Sequence, residues 1–181
     1  RTASAVSLGE ALDAPELEWY CSGYALWHGS SSFSHDGVDC AISGSPPSGR
    51  TSDLCVRLEG PGPLTFWRKT DLATGYGYYG LYIDGELQNS RVTGVGNWVQ
   101  ESHYVLPGSH EVKWSVELFS TNAQRVQVDQ VEYFREIPLF GTSVDSLSAW
   151  CQPGQDADSQ TFQVWNSGNG TLEYLVTTSA N

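Results

Sequence analysis

The sequence predicts an all-β protein, an antiparallel β-sandwich of the jelly-roll kind, and three observations carry that prediction. Apolar and polar residues alternate in short runs at 81–83, 98–100, 111–116 and 126–131, the period-two pattern of strands that turn one face to a core. The dipeptides Asp84-Gly85, Thr93-Gly94 and Pro107-Gly108 punctuate those runs, at about the 8–12 residue spacing of a sandwich. No segment repeats its apolar residues at the period of a helix, so no helix is expected.

Earlier in the chain, residues 37–43 and 52–58 read as strands on either side of the loop Gly44-Ser45-Pro46-Pro47-Ser48-Gly49-Arg50. Folding them as a hairpin about Pro47 sets Cys40 opposite Cys55, where a cross-strand disulfide has reasonable geometry. A different register makes both small core residues, because Cys40 shares a face with Val38 and Ile42 while Cys55 alternates with Leu54 and Val56. Cys21 and Cys151 then pair by elimination, or stand as buried free thiols. None of the four forms the close CxxC pairs that zinc sites use.

After Tyr133 the composition shifts. Residues 134–141 read as a connector, 159–165 as an alternating strand, 166–170 as a turn and 171–176 as the returning strand. Two domains are expected, residues 1–134 and 135–181. The second has room for only about three or four strands, and a hairpin is marginal alone.

Bulk properties narrow the function. At 181 residues the chain can bury a core and hold one domain plus part of another. Nine Lys plus Arg against 21 Asp plus Glu give a net charge of −12. That field repels nucleic acid and anionic lipid, and suits calcium or a neutral ligand. Lys occurs only at Lys69 and Lys113, Met is absent, and residue 1 is Arg. With neither a signal peptide nor an apolar run long enough to cross a bilayer, the chain reads as an exported mature protein or an excised piece.

Two resemblances sharpen this reading. Leu8-Gly9-Glu10-Ala11-Leu12-Asp13, Trp27-His28-Gly29, His35-Asp36-Gly37-Val38-Asp39, residues 60–67, Tyr82-Ile83-Asp84-Gly85, Pro107-Gly108-Ser109-His110 and Val128-Asp129-Gln130-Val131 together resemble the jelly-roll, carbohydrate-binding-module-like repeats of large secreted bacterial proteins. From Gly141 onward, Gln160-Thr161-Phe162 and residues 166–174 resemble the opening strands of a BACON-type immunoglobulin-fold module. The resemblances imply a secreted or cell-surface setting in bacteria, with carbohydrate-binding or adhesive roles and no catalysis. They also imply a structural calcium site in which Asp129, on the last jelly-roll strand, meets Glu10 or Asp13 near the N-terminus. Asp36 and Asp39 are secondary candidates. Without a metal, Asp129 serves as a hydrogen-bond acceptor at a strand end.

Motifs for chemistry are scarce. No GxSxG elbow, HExxH helix, Walker loop or dinucleotide fingerprint occurs. A glycosidase needs only two carboxyl groups at the right separation, and among 21 acids some pair always qualifies, so the criterion selects nothing. Aromatic residues are more informative: seven Trp, nine Tyr and six Phe exceed what a small core absorbs. The loop Thr74-Gly75-Tyr76-Gly77-Tyr78-Tyr79-Gly80 sets tyrosines on a glycine-rich backbone, a combination that stacks on sugar rings or fills an interface. Tyr76, Tyr78, Tyr79 and Trp27 are therefore the expected stacking residues, with Arg68, Asp71 and Asn97 as hydrogen-bonding partners for a polysaccharide or glycan. The alternative is a surface-assembly or adhesive subunit whose open strand edges are completed by neighbouring domains or subunits.

Overall fold

The structure, a computed structural model, describes residues 6–88, 90–120 and 124–177. It divides into two compact units, Arg1–Arg135 and Glu136–Asn181. In chain order the first unit contains α1 (Leu8–Ala11), β1 (Trp19–Gly23), β2 (His28–Ser30), β3 (Cys40–Ile42), β4 (Arg50–Leu72), β5 (Gly77–Ile83), β6 (Glu86–Leu87), β7 (Gly94–Val95), β8 (Val99–Leu118) and β9 (Arg125–Tyr133). The expected all-β antiparallel sandwich is present. One element was not expected: α1 is a single helical turn, closed by a capping box between Ser7 and Glu10.

β4 and β8 are the frame. They pair from Arg50↔Leu118 to Arg68↔Val99, with one shift of register between Gly60 and Gly62. Phe66 follows Leu54 by twelve residues, which a straight strand would spread over about 40 Å. Yet the Phe66 ring lies 5.3 Å from that of Trp114, the partner of Leu54 across the ribbon. The β4–β8 ribbon must therefore double over at the glycine corner. Glycine is required there, because a Cβ on Gly60 would stand 1.8 Å from the Leu106 carbonyl oxygen and one on Gly62 2.1 Å from that of Phe134. Pro107-Gly108 is accordingly a corner inside β8 and not a turn between strands.

Doubling over gives two half-sheets from one continuous set of strands. The first runs β1-β4-β8-β5-β6, and the second runs β2-β3-β9-β4-β8 with β7 on the end of β4. Their inner faces share a single core that includes Leu54, Val56, Leu58, Leu64, Phe66, Tyr79, Leu81, Trp114, Val126 and Val128.

This register overturns the cysteine hairpin. β3 pairs with β2 and β9, whereas the N-terminal half of β4 pairs with β1 and β8, so Cys40 faces Ser30 and Cys55 faces Tyr20 and Lys113. Cys21, Cys40, Cys55 and Cys151 are all free thiols. Burial, the largest cause, pushes the Cys40 thiol up to about 12, which keeps it protonated and inert.

The second unit pairs β10 (Phe140–Thr142) with β11 (Val164–Asn166) over three residues each. The expected hairpin between 159–165 and 171–176 is not formed, since residues 171–177 take no strand. None of the described residues in this unit is buried.

Candidate functional site

Strand alternation separates the expected stacking residues. β5 begins at Gly77, so Tyr78 and Tyr79 point to opposite faces. Tyr79 is fully buried in the core. Tyr78 is half-buried on the outer face, its hydroxyl donating to Glu117 and its ring lying 4.0 Å beneath the Arg91 guanidinium. Only Tyr76, 44% exposed, stays open in the turn. Trp27 is buried as well, its indole N–H donating to the Ser52 carbonyl at 3.1 Å. Arg68 is committed to an inward ion pair with Glu101. Asp71 lies in β4 opposite Val95 and Arg125, and Asn97 is exposed ahead of β8. Tyr79 and Trp27 are thus core residues, and the expected platform does not form around them.

A hollow of about 480 Å³ opens instead beside the β8 corner, lined by Ile83, Asp84, Glu86, Gln88, Tyr104, Leu106 and His110. Its floor depends on the β5–β6 hairpin. Asp84 and Gly85 both take positive φ, 51° and 82°, the requirement of a two-residue type I′ turn. That turn is clamped to β8: Asp84 N–H donates to the Glu111 carbonyl at 2.9 Å, and Asp84 Oδ1 accepts from Glu111 N–H at 2.9 Å. Asp84 Oδ2 lies 2.6 Å from His110 Nδ1. This hydrogen bond is the main cause that holds the Asp84 carboxyl below its usual range and the His110 imidazole above its own. Tyr104 and Leu106, 51% and 63% exposed, form the opposite wall from the other arm of the corner. A flat aromatic face among carboxylates, an amide and an imidazole suits a hydroxyl-rich ligand of modest size. The Asp84-Gly85 turn was legible in sequence, but nothing there brought Tyr104, Glu86, Gln88 and His110 together, because their meeting depends on the corner.

Acidic side chains gather at a second place. Asp129, 1% exposed, is held from two sides: Oδ2 accepts the His35 N–H at 2.6 Å and Oδ1 the Gln130 N–H at 2.8 Å. Gln130 takes φ 49° where the β4–β9 register shifts, a bulge that aims its neighbour. The N-terminal segment is tied to β9 by the Val131 N–H, which donates to the Leu12 carbonyl at 2.8 Å, so Asp13 is brought into range. Burial first, then the charges of Asp36 and Asp13, push the Asp129 carboxyl up, and Asp13 and Asp39 are raised in the same way, by burial and then by Asp36 among their neighbours. Glu10 is spent on the cap, its Oε2 accepting from Ser7 N–H and Oγ–H. These are hard oxygen donors that fit a calcium ion chemically. Among the described residues no three His, Cys, Asp or Glu side chains stand close enough to enclose a metal.

No protein-family model and no curated protein matches the sequence, but solved structures do match the fold. The K3 cleaved adhesin domain of Lys-gingipain from Porphyromonas gingivalis w83 superposes with a TM-score of 0.51 at 17% identity, over 72% of this chain and 98% of that one. TmCBM61, solved in complex with beta-1,4-galactotriose, gives 0.50 at 17% identity, over 72% and 95%. The secreted serine protease VesC from Vibrio cholerae gives 0.46 at 11% identity over 60% of this chain, which spans about a quarter of that protein, 24%. No helix among the described residues is long and apolar enough to cross a membrane. The first unit therefore has the antiparallel β-sandwich fold that it shares with a carbohydrate-binding module and an adhesin domain.

Proposed function

We propose that the first unit is a non-catalytic carbohydrate-binding module of a secreted or cell-surface protein, and that it takes a neutral glycan in the hollow beside the β8 corner. The observation that carries this is the lining itself, in which exposed Tyr104 faces the polar groups of Asp84, Glu86, Gln88 and His110. An aromatic face supplies the stacking, and fixed hydrogen-bonding groups supply the orientation. A charge of −12 disfavours anionic ligands and leaves neutral sugars as the fitting class.

A glycan microarray followed by calorimetry tests the reading, with β-1,4-galacto-oligosaccharides among the probes. Selective binding is expected. Tyr104→Ala should weaken it by about 2 kcal/mol or more, roughly 30-fold in Kd, with stability within about 0.5 kcal/mol because Tyr104 is a surface residue. Undiminished binding by this variant would move the site elsewhere. The second unit favours another role, adhesion or assembly, because exposed Phe140, Val144, Leu147 and Phe162 line one hollow and contiguous apolar surface marks contact with another polypeptide. An assembly subunit would show a large species in light scattering and no selective glycan.

We further propose that calcium binds at Asp129 and Asp13, with backbone carbonyl oxygens and water completing its shell. A bound ion would relieve the mutual repulsion of these carboxylates and bind only the folded chain. The melting temperature should therefore fall in chelator and recover with calcium. Asp129→Asn should lower it in calcium and abolish the response to chelator. A melting temperature that ignores thorough chelation ends the proposal.

A further inference from the structure

We propose that the outer face of the second half-sheet is a second saccharide-binding site, covered by the loop of residues 31–39, and that the His35 ring occupies the stacking face of Trp67 while the site is empty. The ligand class rests on the glycan reading above, but the site is independent of the hollow.

Register fixes what the loop covers. Phe66, Val126 and Val128 point into the core, so Trp67, Lys69, Gln127 and Asp129 point out, with Trp67 opposite Asp129 and Lys69 opposite Gln127. An outward face built this way is ordinarily wet. Here Gln127 is 3% exposed, and its Oε1 has no hydrogen-bond partner among the described residues. Buried acceptors are paired in the great majority of cases, so an orphaned one beneath a loop marks a missing donor. A sugar hydroxyl is such a donor.

The loop is placed as a substitute for a ligand. The His35 imidazole stacks on the Trp67 indole at 3.8 Å and 16°, and meets Trp98 edge-on at 5.7 Å. Two flanking indoles with a ring laid on one of them is the arrangement in which aromatic side chains take up a pyranose. The cover is lightly held. Besides the two indole contacts, its anchors among the described residues include the His35 N–H to Asp129, His35 Nδ1 at 2.5 Å from Gln130 Oε1, and the Phe33 ring 5.3 Å from the Arg125 guanidinium. Residues 31–33 and 36–38 are otherwise exposed, and segments with so few buried contacts open at low cost. A hollow of about 230 Å³, lined by His28, Ile42, Ser43, Gly44, Ser45 and Arg125, adjoins the face through Ile42, the partner of Gln127.

The test uses the full chain carrying Tyr104→Ala, which weakens the first hollow about 30-fold, and follows tryptophan fluorescence during titration with β-1,4-galactotriose, cellotriose and xylotriose at concentrations below that weakened Kd. Removing the competing ring with His35→Ala should tighten binding of at least one triose, by about tenfold for a cover closed nine-tenths of the time. Adding Trp67→Ala should abolish that binding. No tightening with His35→Ala, or binding that survives Trp67→Ala, overturns the proposal. Because the His35 ring also meets Gln130 Oε1, a second readout spares the loop: in the Tyr104→Ala chain, saturating triose should speed hydrogen exchange at the His35 amide. Unchanged or slower exchange overturns the proposal too. Failure of the Tyr104 variant to lose binding, by contrast, bears only on the first hollow.

Discussion

Replacing Glu101 by Gln should destabilise the first unit by about 3 kcal/mol, the lower end of the range for leaving one partner of a buried ion pair uncompensated. The side chains of Glu101 and Arg68 are 9% and 12% exposed, and Arg68 Nε donates to Glu101 Oε1. His103 Nε2 lies 3.2 Å from the other oxygen, Oε2. All three point inward: Glu101 sits opposite Phe66, His103 opposite Leu64 and stacked against the Phe66 ring, and the Arg68 guanidinium lies 5.4 Å from the Tyr79 ring. Without the carboxylate, the guanidinium keeps its desolvation cost and loses its counter-charge. The pH dependence has a definite sign. Burial alone would raise the Glu101 carboxyl, but the contacts from His103 and Arg68 outweigh it and hold the group below its usual range. A depressed carboxyl contributes stability above the ordinary glutamate value of about 4.3, and that contribution is lost as pH falls through the folded value. Urea denaturation should therefore show the widest gap between wild type and Glu101→Gln near neutral pH, and a closing gap in acid. A gap of equal size at both ends would mean that the carboxylate charge contributes nothing.

What the sequence disclosed was local, and what it concealed depended on the corner in β4 and β8. The alternating runs at 111–116 and 126–131 became β8 and β9 because period two with a buried face has few other solutions. Asp84-Gly85 became a type I′ turn because those residues tolerate positive φ. Ser7 and Glu10 carried a capping box whose helix was too short to show periodicity. Pro61 and Pro63 lie inside β4, where the ribbon doubles over and the shifted register relaxes the demand for ladder hydrogen bonds. From that one bend follow the facing of Phe66 and Trp114, the inward ionic group and the hollow around Tyr104. No window of sequence contains these pairs. The loop glycines misled in the opposite direction. Gly77 and Gly80 suggested an open tyrosine loop, but both lie in β5, where a Cβ on Gly77 would stand 2.5 Å from the Glu117 carbonyl oxygen and one on Gly80 2.8 Å from Leu87. They mark close approach within the sheet rather than mobility.

Tyr79 is the residue on which the sequence and structural readings differ most, and three substitutions separate them by energy. Tyr79→Ala should cost about 3–5 kcal/mol, the range for deleting a large aromatic side chain from a packed core, because Tyr79 is wholly buried and its strand partner is Val116 in the core. Tyr76→Ala, in the exposed turn three residues earlier, should change stability by less than about 0.5 kcal/mol. Tyr79→Phe makes the sharper test. The Tyr79 hydroxyl is buried and has no hydrogen-bond partner among the described residues, and burial drives its ionisation well above the usual range. A desolvated hydroxyl without a partner costs free energy, typically about 1–3 kcal/mol, so deleting it while keeping the ring should leave stability unchanged or raise it. Thermal and urea unfolding of the three variants suffices to decide. If Tyr79→Ala proved as mild as Tyr76→Ala, the ring would lie outside the core. If Tyr79→Phe cost more than about 1 kcal/mol, the hydroxyl would have a partner, and the space between Tyr79, Arg68 and Glu101 would have to hold the group that satisfies it.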